Sequence, residues 1–108
     1  MAIIDKGDKL RLPTAMPGER VDIISFVVTK AGWETLKDRI GISPSNPVRI
    51  LTRLIHEPAS ELIERAGANW EWHHLPSNHA KAIIYHKQKM AILGSFNVTE
   101  PSLGKNIE

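Results

Sequence analysis

A chain of 108 residues has room for one hydrophobic core and little more. With 42% hydrophobic and 24% charged residues it has the balance of an ordinary globular domain, which excludes a disordered chain. The absence of cysteine excludes disulfides, thiolate nucleophiles and cysteine-ligated zinc, and a net charge of +2 suits a polyanionic partner without identifying one.

Residues 1–20 mix charges with Pro13, Pro17 and Gly18 and read as an irregular arm. No apolar run reaches signal-peptide or membrane-spanning length, so the expectation is a cytoplasmic protein without a membrane partner. Val21 to Val28 (VDIISFVV) is a nearly continuous β-branched run and predicts a strand buried on both faces. Trp33, Leu36 and Ile40 recur at helical spacing, with Gly41 as the stop. Ser43 to Pro47 is a loop, and Val48 to Leu54 alternates as a half-exposed strand does. Pro58 suits the first turn of a helix through Ala66 that Gly67 ends. Asn69 to His74 is a short aromatic strand. Ala80 to Tyr85 and Met90 to Leu93 are strands around a polar turn at Lys87-Gln88-Lys89. The order β-α-β-α-β-β-β predicts one α/β domain over 1–108, a central mixed β-sheet flanked by helices.

Three polar clusters crowd the last thirty or so residues: His79-Ala80-Lys81, Gly94-Ser95-Phe96-Asn97 and Lys105-Asn106-Ile107-Glu108. Alternate residues of a strand share a face, so His79 and Lys81 project together, as do Ser95 and Asn97. A hairpin closing near Lys87 to Lys89 brings the two pairs side by side. An imidazole, an ammonium, a hydroxyl and an amide then surround one point. That set suits a phosphate: donors for its oxygens, and an imidazole able to attack or to move a proton.

The run His79-Ala80-Lys81-Ala82-Ile83-Ile84-Tyr85-His86 followed by Gly94-Ser95-Phe96-Asn97 resembles the phospholipase D superfamily signature HxKxxxxD…GSxN. The ending Lys105-Asn106-Ile107-Glu108 is similar to that of the small bacterial nucleases of that superfamily. The resemblance covers about thirty residues and implies a phospholipase D-like half-site domain. It implies that His79 is the nucleophile forming a phosphohistidine and that Lys81 holds the phosphate oxygens. Asn97 would be a second phosphate donor, Ser95 a supporting hydroxyl beside Gly94, and Glu108 the carboxylate that orients the histidine. No cofactor and no metal are implied. One HxK motif supplies one histidine where the two-step chemistry needs two, so the resemblance implies a homodimer, with nucleic acid, DNA first, as substrate.

Two positions depart from the pattern. His86 stands where the family has aspartate, seven residues from His79, so strand parity turns it to the opposite face as a supporting residue, and His86→Asp should change little. The chain also stops at Glu108 where the family usually continues into another strand, so the domain is either shortened or a fragment.

Plainer readings stand beside several residues. His73 and His74 diverge on a strand and lack a third ligand at recognisable spacing, which favours ordinary strand residues over a metal site. Trp70 and Trp72 share a face that covers the core or an interface more readily than it stacks on bases. Arg49 and Arg53 could contact a phosphate backbone or line a solvated face. The expected function is a metal-independent nuclease. The alternatives are a catalytically silent nucleic-acid-binding module of the same fold, or a phospholipase or phosphatidyl-transfer enzyme.

Overall fold

A computed structural model describes residues 12–75, 81–94 and 98, and the backbone of residues 2–3. Its elements are β1 (Ala2–Ile3), β2 (Val21–Val28), α1 (Lys30–Ile40), β3 (Val48–Ile55), α2 (Glu57–Arg65), β4 (Trp70–His74), β5 (Ala82–Tyr85) and β6 (Met90–Leu93). The six-stranded sheet has the order β1-β6-β5-β2-β3-β4. β2, β3 and β4 are parallel neighbours, β5 runs antiparallel to both β2 and β6, and β1 pairs parallel with β6. The chain is therefore an α/β domain on a mixed sheet. β1 was not legible in the arm: a two-residue strand is too short to carry a period.

Each helix begins and ends on chemistry visible in the sequence. The Thr29 side chain accepts a hydrogen bond from the Gly32 N–H at 3.1 Å, capping α1 at its start. Gly41 closes α1 at φ 67°, where a side chain would be strained, and its N–H bonds the Lys37 carbonyl. Lys37 and Arg39 lie in the last turn, where cations oppose the helix dipole favourably. In α2, Pro58 occupies the first turn and Glu57 suits the positive helix start.

Both helices cover the same face. Successive β-α-β crossovers that advance the same way through a sheet put their helices on one side. Trp33 of α1 meets Trp70 of β4 edge-on at 5.3 Å, and Trp72 Nε1 donates to Glu64 of α2 at 3.0 Å. Val21, Ile23, Val48, Ile50, Trp70, Ile83, Tyr85 and Ile92 point to that side and pack with Trp33, Leu36, Ile40 and Ile63 into one core. Both tryptophans of β4 thus serve the core. Val21–Val28 forms the predicted strand but is not buried evenly: Ile24 and Phe26, at the opposite parity, are only half-buried. Among the described residues the flanking of the sheet is one-sided.

Candidate active site

Strand direction divides the sheet into two ends. β2, β3, β4 and β6 run the same way, so Val28, Ile55, His74 and Leu93 finish at one edge. β5 runs against them and starts there. That carboxyl edge is where open α/β sheets place their ligands. Lys81 lies at it, immediately before β5, and the Gly94 N–H donates to the Lys81 carbonyl at 3.2 Å. The β5–β6 hairpin therefore brings the described ends of the two motif segments together.

The chain is pinned at the same edge from β2. The Val98 N–H donates to the Val27 carbonyl at 3.2 Å and to the Ser25 Oγ at 3.0 Å, and the Thr29 N–H donates to the Val98 carbonyl at 2.9 Å. Val98 is fully buried. The Leu75 N–H bonds the Thr52 carbonyl at 2.9 Å. Leu75, Lys81, Gly94 and Val98, which flank the motif segments, all belong to this edge. His79, Ser95, Asn97 and Glu108 lie outside the described residues.

His86 sits at the other end of the sheet. Five residue steps at the rise of a strand separate it from Lys81 by about 17 Å. Its Nε2 lies 2.8 Å from Oδ2 of Asp22, and because an ionised carboxylate only accepts, this nitrogen carries the proton. Arg49 Nη2 donates to the same oxygen at 3.1 Å, and Arg20 Nε stands 3.5 Å from Oδ1 as an ion pair without a hydrogen bond. Burial raises the Asp22 pKa, but the His86 and Arg49 hydrogen bonds and charges outweigh it and hold the carboxyl below its usual range. Arg49 is thus occupied with Asp22, while Arg53 lies over the Phe26 ring, 5.3 Å from its centre.

Asp22 is the group sequence reasoning missed. The available signal was a lone aspartate inside an apolar run, which in a buried strand requires a cation. A second clasp lies beside it. Glu19, 1% exposed, accepts from the Met16 N–H at 2.8 Å, the Gln88 N–H at 2.7 Å and the Gln88 amide at 2.7 Å. Burial raises its pKa, and these hydrogen bonds together bring it below the usual value. They also account for a tight turn without glycine, in which Lys89 takes φ 53°.

Of the two predicted histidines on β4, His73 pairs with Glu71 at 3.3 Å. Among the described residues no cluster of three or more His, Asp or Glu is arranged to hold a metal ion, and no helix is long and apolar enough to cross a membrane. A cavity of about 370 Å³ opens between α1 and α2 beside Trp33, Leu62 and Trp70, at the edge opposite Lys81. Comparison with family models, with curated proteins and with solved structures finds no match.

Proposed function

We propose that this chain is a cytoplasmic phosphodiesterase, a metal-independent nuclease of the phospholipase D type whose site is completed by a second copy. The reading rests on the ordered set His79, Lys81, Ser95, Asn97 and Glu108. What supports it in the fold is the bond from Gly94 to Lys81, which ties the two motif segments together at the carboxyl edge.

In this mechanism the His79 imidazole attacks phosphorus while Lys81 and Asn97 hold the non-bridging oxygens. The bond to the leaving oxygen breaks, and the partner's His79 supplies the proton that oxygen needs. The same partner imidazole, now neutral, then takes a proton from water. The water oxygen attacks phosphorus, the phosphorus–nitrogen bond breaks, and both histidines return to their starting states. Glu108 orients the imidazole.

The departure at position 86 bears little on this chemistry, since His86 is bound to Asp22 about 17 Å from Lys81. A plasmid-nicking assay in excess EDTA, run beside His79→Ala, tests the proposal. Cleavage should persist in EDTA and vanish in the variant. Activity that needs added magnesium, or that survives in His79→Ala, would refute it.

A further inference from the structure

The cavity between α1 and α2 joins apolar walls to a cationic mouth. Trp33, Ile42 and Trp70, all buried, line it together with half-buried Leu62. The more exposed lining carries Lys37 and Arg65, one cation from the last turn of each helix. At about 370 Å³ the cavity lies within the ordinary range of small-molecule sites, about 300–1,000 Å³.

Both cations suit their helices without any ligand, because positive charge in a last turn opposes the helix dipole favourably. That reading does not bring them to one cavity: Arg39, in the same last turn as Lys37, does not line it. Nor are the two charges spent on carboxylates. Half-buried Lys37 makes no ion pair or side-chain hydrogen bond among the described residues. Arg65 has only a 3.9 Å ion pair with Glu61, and both side chains are exposed. The acceptors of the lining are already engaged. The Ser43 carbonyl accepts from Trp70 Nε1 at 3.2 Å, and the Ser43 hydroxyl lies 2.8 Å from that of Ser45. Trp33 Nε1, by contrast, is a buried donor without a partner among the described residues. No Asp or Glu lines the cavity. The lining thus has donors and positive charge to spare and lacks a negative acceptor.

We propose that this cavity binds a small organic anion, a carboxylate carried on an apolar body the size of a single aromatic ring. The carboxylate lies between Lys37 and Arg65, and the apolar body packs against Leu62 and the tryptophans. The site is at the opposite edge of the sheet from Lys81 and stands whether or not the chain cleaves a phosphodiester.

Two of the three tryptophans line the cavity, so intrinsic fluorescence reports occupancy. Titration of the full chain with phenylbutyrate at low ionic strength should saturate, and the ligand should raise the melting temperature. Phenylbutanol should bind about tenfold more weakly, the worth of two exposed ion pairs, and phenylbutylamine more weakly still. Lys37→Gln combined with Arg65→Gln should lose that factor for the acid and leave the alcohol unchanged. Lys30→Gln, exposed at the start of α1, should bind as wild type does. Ala66→Leu adds bulk to the lining and should weaken acid and alcohol alike, with circular dichroism to verify the fold of each variant. Should Ala66→Leu unfold, the double glutamine variant, which removes no buried side chain, decides the matter. No saturation in the millimolar range, an alcohol or amine that binds as tightly as the acid, or a folded double variant with wild-type affinity for the acid would overturn the proposal.

Discussion

The hydrogen bond to Asp22 changes the expectation that His86→Asp does little: replacing His86 with aspartate, the residue the motif would carry, should damage stability and spare chemistry. The imidazole donates to Asp22 at 2.8 Å, but its side chain is 44% exposed against 6% for the aspartate. A charge-assisted hydrogen bond contributes roughly 1.5–3 kcal/mol, and solvent screening of the half-exposed partner reduces this to about 1 kcal/mol. The new carboxylate would also face Asp22. Repulsion between two like charges a few ångströms apart near a surface, offset by Arg20 and Arg49, adds about 1 kcal/mol. A loss of about 2 kcal/mol lowers the melting temperature of a domain this size by about 10 °C. Because the Asp22 pKa is depressed, the penalty is present at neutral pH and fades as acid protonates Asp22. His86→Gln, which keeps a donor, should recover much of the loss. Thermal melts at neutral pH and in mild acid measure these effects, and a nicking assay normalised to folded protein measures the chemistry. An unchanged melting temperature would refute the pairing with Asp22. Abolished cleavage in fully folded His86→Asp would refute the separation of position 86 from the site.

Two further substitutions probe the same end of the sheet. Glu19→Ala leaves the Met16 and Gln88 N–H groups without their acceptor and should lower the unfolding free energy by about 3 kcal/mol, read as a shifted urea midpoint. Glu19 and Asp22 both have depressed folded-state pKa values, so their stabilisation is complete above the unfolded value near 4 and is lost as pH falls below it. Wild-type urea midpoints should therefore drop in that acid range, and Glu19→Ala should flatten the drop. Tyr85 is fully buried and its hydroxyl has no hydrogen-bond partner among the described residues, with burial and then the Glu19 charge raising its pKa. Tyr85→Phe removes a desolvated polar atom and should be neutral or stabilising by up to about 1 kcal/mol; a clear loss would show that the hydroxyl has a partner.

The elements that could be read from the sequence were those whose pattern is local. Trp33, Leu36 and Ile40 repeat at helical spacing, and Thr29 and Gly41 cap the helix within a few residues of them. Val48–Ile55 alternates visibly. What could not be read depends on partners far along the chain. Asp22 meets Arg49 at a separation of 27 residues and His86 at 64, and no local rule links those positions. Glu19 sits in an arm that looks irregular, yet it is buried because the distant turn at Gln88 folds onto it. That both described helices lie on one face also escaped reading. The apolar run of β2 predicts coverage on both sides, and only the direction of the crossovers determines where the helices go. For the candidate site, the parity of His79 and Lys81 and the hairpin were local features. Whether Lys81 and His86 share an end depended on the length of β5.

The antiparallel strand β5 also bears on the order in which the chain can assemble. Residues 21–74 form a unit of three parallel strands and two crossovers, while residues 82–93 form a hairpin whose contacts are almost adjacent in sequence. Short hairpins close in microseconds, whereas strands brought together over long loops pair late. The two pieces meet along β2 and β5, with Asp22 and Glu19 fastening them at one end and Ser25 and Val98 at the other. Lys81 and Gly94 flank the hairpin, and Val28 and, just past β4, Leu75 belong with the larger unit, so the candidate site straddles the seam. Binding at the carboxyl edge would then depend on the last docking step of folding, and a phosphate ligand held across the seam would close it.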